Sequence, residues 1–178
     1  MITNCITTFT GKQIDPTHPD ISSVDIHDIA HALSLTCRGN GHVKNFFSVG
    51  QHCINAAKEA AARGYSKRII LASLLHDASE AYMSDVPRPL KRLLPEYVTA
   101  EDRFLDLIYE KFLGSSLTEE EAAVVKRIDN DLLYFDLKFL LNETLDVPEP
   151  TLHISLNYEF IPFEQVEQTF MELFKHCM

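Results

Sequence analysis

Apolar residues recur at helical spacing over most of the chain. From Ser23 to about Thr36, Val24, Ile29, Ala32, Leu33 and Leu35 predict a helix opened by a serine or aspartate cap. Ser48 to Arg63, with Val49, Ile54, Ala56, Ala57 and Ala60 on its apolar positions, predicts a second helix that stops at Gly64. Ser66 can cap a third, and Ile69, Ile70, Ala72, Leu74 and Leu75 make it apolar nearly all round, as expected of a central helix. His76, Asp77 and Glu80 are expected at its far end. A helix of about Glu96 to Leu113 follows, stopped by Gly114, and Thr118 with Glu121 forms a capping box for a long helix through about Asn142. Pro162 can open a last helix, residues 162–176, with Phe163, Val166, Phe170, Leu173 and Phe174 on one stripe. The pattern predicts an all-α helical bundle of roughly five or six helices.

The breaks in the pattern are as informative as the helices. Residues 1–22, with Gly11, Pro16 and Pro19 among polar neighbours, suggest a short strand or extended arm that covers the bundle. Arg38-Gly39-Asn40-Gly41 is a loop. Asp85 to Pro95 holds Pro87, Pro89 and Pro95, so it should be a loop that runs off the end of the central helix, placed to roof a cleft. Pro148 and Pro150 interrupt the stretch before the last helix. No internal repeat is visible, and 178 residues fit one domain, 1–178, with its core at about 28–140.

Composition changes the picture in a few places. Apolar residues make up 46% and charged residues 24%, a globular balance that supports a real core. A net charge of −10 argues against a nucleic-acid polymer or an anionic membrane as partner. A small phosphorylated ligand stays compatible, because one metal ion and a few local cations can reverse the potential inside a cleft. Cys5, Cys37, Cys53 and Cys177 form no C-x-x-C pair and read as thiols of a reducing compartment. With no basic-then-apolar start and no stretch of membrane-spanning length, a cytoplasmic location is expected.

The string Leu74-Leu75-His76-Asp77-Ala78-Ser79-Glu80 sets ionisable groups at the end of an apolar helix. Burying such groups is costly unless a metal or partners compensate, and metal ligation supplies a reason. Imidazole and carboxylate donors suit Mn²⁺, Co²⁺, Fe²⁺ or Mg²⁺, and also Zn²⁺, with coordination positions left for water and substrate. On a helix, Glu80 would project from the same side as His76 and Asp77 one turn further on, placed for general acid or base work.

These residues resemble the HD-domain metal-dependent phosphohydrolases, named for an adjacent His-Asp pair in an H…HD…D ligand set. Gln51-His52 is similar to the first ligand, His76-Asp77 to the doublet and Asp129, in Val125-Lys126-Arg127-Ile128-Asp129, to the last. His76-Asp77-Ala78-Ser79-Glu80 with Asp85-Val86-Pro87-Arg88-Pro89-Leu90-Lys91 resembles the bacterial deoxyribonucleoside 5′-monophosphatase branch. The segment from Asp28-Ile29-Ala30-His31 through Arg38, Gly41-His42 and Ser48-Val49-Gly50-Gln51-His52 also resembles a branch that includes phage deoxyadenosine triphosphatases. The resemblance implies an HD-type bundle that holds one divalent ion on His52, His76, Asp77 and Asp129 and hydrolyses a nucleotide phosphoester. A (deoxy)nucleoside 5′-monophosphate is the first expected substrate. A nucleoside triphosphate is the alternative, and a non-catalytic nucleotide-binding protein is the rival from another class. Arg38 would hold phosphate, Glu80 would support attack by water, Asp85 would bind a sugar hydroxyl and Lys91 would assist at the phosphate. Two positions depart from the family: Gly39 stands where an aromatic residue often follows the arginine, and Cys53 where serine is more usual.

Asp131 competes with Asp129 as last ligand from a different helical face. Asp129, Leu132, Leu133 and Asp136 recover the period of an inward face. His27 and His31 share the i, i+4 spacing of a metal pair but lack a third ligand, so a capping or supporting role is the simpler reading. His42 and Arg88 each fit either a ligand contact or plain exposure. The apolar last helix, and self-association among proteins of this resemblance, point to a homo-oligomer.

Overall fold

The computed structural model describes residues 4–178 and is a helical bundle. The first three residues of the expected arm lie outside the described residues. Six helices of two turns or more are present among the described residues: α1 (Ile26–Leu35), α2 (Val49–Ala62), α3 (Lys67–Leu75), α6 (Pro95–Leu113), α7 (Glu119–Leu140) and α8 (Phe163–Cys177). Two single-turn helices, α4 (Glu80–Met83) and α5 (Arg88–Lys91), fall between α3 and α6.

Helix starts follow the expected chemistry. Asp25 caps α1 by accepting from the His27 amide, and Ser66 caps α3 by accepting from Ile69. Ser48 with Gln51 and Thr118 with Glu121 form complete capping boxes on α2 and α7. Gly114 ends α6 in the left-handed conformation at φ 82°. One expectation is corrected. The stretch from Asp85 to Pro95 is not loop throughout, because Pro89 sits in the first turn of α5, where a missing amide donor costs nothing.

The helix α3 is the axis of the bundle and packs against α2, α6, α7 and α8. Leu74 and Leu75 are fully buried there, together with Leu33 of α1, Phe104 and Ile108 of α6, and Phe170 of α8. The close crossing of α1 and α2 depends on Gly50, where an added Cβ would lie 3.2 Å from the Leu33 backbone and 3.1 Å from Val166 Cγ1. The arm is an antiparallel hairpin, β1 (Ile6–Thr7) with β2 (Gln13–Ile14), in register Ile6 to Ile14. The Thr10 amide and hydroxyl both donate to Asp28, at 2.6 and 2.9 Å, and Ile14 enters the core. No described helix is long and apolar enough to cross a membrane.

Candidate metal centre and active site

Three helices bring the ionisable groups together. His52 lies one turn into α2, and Asp129 and Asp136 lie on the buried face of α7 with Ile128 and Leu132. The helix α3 stops at Leu75, earlier than the sequence pattern implies. His76, Asp77, Ala78 and Ser79 form a tight turn before α4, with the Ala78 amide bonded to Leu75 O and the Glu80 amide to Asp77 O. Asp77 and Glu80 therefore do not share an unbroken helix. The turn nevertheless keeps both on the wall of one cleft.

His52 Nε2 lies 3.2 Å from Asp129 Oδ1, and His76 Nε2 lies 3.2 Å from Asp77 Oδ2. The two cross distances are 3.9 Å, from His52 Nε2 to Asp77 Oδ2, and 3.7 Å, from His76 Nε2 to Asp129 Oδ1. Neighbouring donors on an octahedral ion with bonds of about 2.1 Å stand about 3 Å apart, so the two 3.2 Å contacts are close to that spacing and the two cross distances exceed it. Donor atoms of His52, His76 and Asp129 all fall within 4.8 Å of one another. Cys53, His76 and Asp77 form an overlapping group, so Cys53 sets a buried sulfur beside the doublet.

The protonation pattern favours a cation in the middle. His76 Nδ1 donates to Ser73 O at 2.8 Å, and His52 Nδ1 donates to Asp136 Oδ2 at 2.9 Å. In its neutral form each ring then turns a lone pair to the centre, opposite a carboxylate oxygen. Acceptor facing acceptor in a buried site is unfavourable unless a positive charge lies between them. His76 Nε2 is buried without a hydrogen-bond partner. Where no ion lies there a proton takes its place: burial disfavours a charged His76 ring, yet Asp77 and the other neighbours outweigh it and hold the ring's pKa well above the ordinary histidine value, so an ion would displace that proton. His52, His76 and Asp129 thus fit three positions on a divalent ion, with Asp77 outside that group and joined to it through His76.

Beside it opens a cleft of about 560 Å³. Arg38, Arg88, Lys91 and Lys126 line it together with Asp85, Asp136 and Glu143, and Leu133, Leu137, Leu140 and Leu141 supply apolar lining from α7 and its C-terminal end. Arg38 comes from a short 3₁₀ turn, Arg38–Gly41, in which Gly39 and Asn40 have positive φ of 59° and 53°. Its guanidinium reaches Asp77 at 3.3 Å and Asp136 at 3.5 Å. Burial opposes its charge, but Asp136, Asp77 and Asp85 raise its pKa further and keep it cationic. Asp85 accepts from the Gly39 amide at 3.2 Å and lines the same cleft. Lys91 pairs with Glu101 at 2.8 Å and lies 3.5 Å from Glu80. Glu80 is buried, its Oε2 has no partner, and burial with the charges of Asp77 and Asp85 pushes its pKa well above the usual carboxylate range.

The structure therefore gathers Asp77, Asp129, Glu80, Arg38, Asp85 and Lys91 on one cleft, with His52 within 3.2 Å of Asp129 and His76 within 3.2 Å of Asp77. Asp131 points away and pairs with Arg63 at 2.8 Å. His27 bonds its own cap Asp25, and His31 bonds Glu167 at 2.9 Å and stacks on Phe9, so neither approaches the donor set. His42 lines the cleft. Three further residues touch the site. Asp136 orients His52 and accepts from Tyr158 Oη at 3.0 Å, while Arg88 and Lys126 each lie 2.8 Å from Asp129 Oδ2. The spacing of Asp136 seven residues after Asp129 was the available signal. Nothing in the sequence pattern pointed to Tyr158 or Lys126.

No protein-family model matches the sequence. The protein YfdR of Escherichia coli, named as uncharacterized, is 38% identical over 107 residues, which is 60% of this chain and 57% of YfdR. An uncharacterized protein of Rhodobacter capsulatus is 33% identical over 108 residues, 57% of this chain and 55% of that one. A protein of Vibrio vulnificus named 5′-deoxynucleotidase is 29% identical over 128 residues, 63% of this chain and 56% of that one. The matched region thus spans little more than half the length of these relatives.

Proposed function

We propose that the chain is a metal-dependent phosphohydrolase of the HD type that acts on a nucleotide, in first place a (deoxy)nucleoside 5′-monophosphate. The observation that carries this reading is the pair of buried imidazole nitrogens, His52 Nε2 and His76 Nε2, each facing a carboxylate with its other nitrogen already donating. His52, His76, Asp77 and Asp129 would hold one divalent ion, with Mn²⁺, Co²⁺, Fe²⁺, Mg²⁺ and Zn²⁺ all compatible with the donors. Such an ion supplies Lewis-acid polarisation of the phosphoryl group and eases deprotonation of water. The lining of the cleft supports a nucleotide, because Arg38, Arg88, Lys91 and Lys126 can meet phosphate and Leu133, Leu137, Leu140 and Leu141 can pack against a base. The named 5′-deoxynucleotidase relative points the same way.

The residues of the chain then divide the work. Arg38 would clamp phosphate oxygens with its planar fork. Asp85 would accept a hydrogen bond from the sugar, and Lys91 would offset charge at the phosphate. Glu80, whose raised pKa leaves it protonated more readily than an exposed carboxylate, would pass a proton to the departing ester oxygen. A nucleoside triphosphate is the second reading. It is favoured by Arg88 and Lys126, which add two half-exposed cations beyond those a monophosphate needs.

The test is phosphate and polyphosphate release from ribo- and deoxynucleoside mono- and triphosphates with each metal, for the native chain, Asp77→Ala and Glu80→Ala. Loss of turnover in Asp77→Ala and a fall of about 10²–10⁴-fold in kcat for Glu80→Ala are expected. A folded protein that turns over none of the panel with any metal would leave a nucleotide-binding role and sink the enzyme reading.

A further inference from the structure

The donor set opens on two sides. One is the cleft. The other is a pocket of about 740 Å³ bounded by α6 and the first half of α7. Asp77, Glu80, Lys91, Lys126 and Asp129 line both spaces, so these meet at the donors, whereas His76 borders only the second. The charged side chains found only in the second pocket are Glu101, Asp102 and Asp106, all acidic. Those found only in the cleft are of both signs, Arg38 and Arg88 with Asp85, Asp136 and Glu143.

Two deeper groups connect this acidic pocket to a ligand. His76 and Glu80 both border it, both side chains are more than nine-tenths buried, and His76 Nε2 and Glu80 Oε2 have no hydrogen-bond partner. At the outer end, partial burial and then the charges of Asp102 and Asp106's other neighbour, Glu110, push the Asp106 carboxyl up, which marks a locally crowded negative surface. Glu101 is held inward by Lys91, which leaves Asp102 and Asp106, one turn apart on α6, as the exposed collar.

A phosphate anion meets only added carboxylates at this face, whereas the cleft also offers it Arg38 and Arg88. A cation experiences the reverse. Once a nucleotide fills the cleft, the acidic side is the face of the donor set it does not cover. We propose that the acidic pocket is the loading route for the divalent cation, with Asp102 and Asp106 steering the ion toward His76 and Asp77. The inference rests on the metal-centre reading above, and it gives the cation the mouth that has no arginine. Low-dielectric pockets lined by one sign of charge raise the local counter-ion concentration and the association rate by about 10–10³-fold.

The experiment follows Co²⁺ uptake by the metal-free full chain in stopped flow, read by cobalt d–d absorption, across a range of ionic strength. The native chain is compared with Asp102→Asn/Asp106→Asn and with Glu159→Gln/Glu164→Gln, which changes net charge equally but lines neither pocket. In the Asp102→Asn/Asp106→Asn variant, association should slow roughly three- to tenfold at low salt and lose most of its salt dependence. The dissociation rate and metal-free Tm should be unchanged, and the control variant should load like the native chain. Equal loading in all three proteins, or equal slowing in both variants, would overturn the route while leaving the metal centre in place. A folded native chain that takes up no Co²⁺ would overturn the metal centre and the route with it.

Discussion

At the scale of single residues, the orientation of His52 is the most informative feature. Its Nδ1 is held by Asp136, and Asp136 is held in turn by Tyr158 at 3.0 Å. Carboxylates that orient a metal-binding imidazole typically contribute about 10–100-fold to metal affinity. Asp136→Asn should therefore weaken Co²⁺ or Mn²⁺ binding by about that factor in calorimetric titration, with Tyr158→Phe weakening it by less. Unchanged affinity in Asp136→Asn would show that His52 is positioned by its helix alone. The same titration decides between the two aspartates of α7. Asp129→Asn should lose metal, while Asp131→Asn should keep it, since Asp131 spends its charge on Arg63. The doublet His76-Asp77 and the period that selects Asp129 were legible from residue type and spacing. Tyr158 was not, because it sits in a proline-flanked stretch with no periodicity, brought near the site only by tertiary packing.

At the scale of elements, the helices were legible because caps and apolar stripes are local, and the corrections fall where a turn is decided by packing. The helix α3 ends at Leu75 rather than running through Glu80, since His76 must aim into the bundle while α4 turns to pack against α1. Gly50 shows how tightly α1 and α2 are pressed together. Gly50→Ala gains helix propensity but drives a methyl to 3.2 Å from the Leu33 backbone, which cannot yield as a side chain would. A net loss of about 1–3 kcal/mol is expected in urea unfolding, and a neutral or stabilising result would show that α1 can shift. At the start of α1, burial pushes the Asp25 carboxyl up, but Lys12 and the His27 amide and ring pull it down to about 2. A carboxylate depressed in the folded state stabilises above its ordinary pKa and loses that contribution as the pH falls through the folded one. The contribution of Asp25 should therefore be complete above its ordinary value of 3.8 and lost as pH drops toward 2. Asp25→Ala should cost about 1 kcal/mol at neutral pH, and the cost should shrink over that acid window in thermal melts.

At the scale of the whole molecule, the bundle and the site are joined by a segment that belongs to no helix. Residues 142–161 run back across α2 and α7, with Leu152 and Leu156 packed on Ala56, Ala60, Ile128 and Leu132. Their anchor is Glu59, fully buried on α2, which accepts from the His153 and Ile154 amides and from Arg63 Nε at 2.7 Å. A glutamate among alanines in a helix gives no sign in the sequence that it will hold a segment almost a hundred positions away. Burial would raise the Glu59 carboxyl, but the Arg63 guanidinium and the His153 amide hold it below its ordinary value, so its contribution is present at neutral pH and lost in acid. Glu59→Gln keeps the shape and removes the charge, and should cost about 2–3 kcal/mol through weakened charged hydrogen bonds. The loss should be local first. Hydrogen exchange should quicken at 153 and 154 before it does in α3, and metal affinity should fall as well, because the same segment carries Tyr158 to Asp136 and so to His52. Exchange that rises uniformly through α2, α3 and the segment would instead show that the segment and the bundle open as one unit, with no separate path from Glu59 to the metal centre.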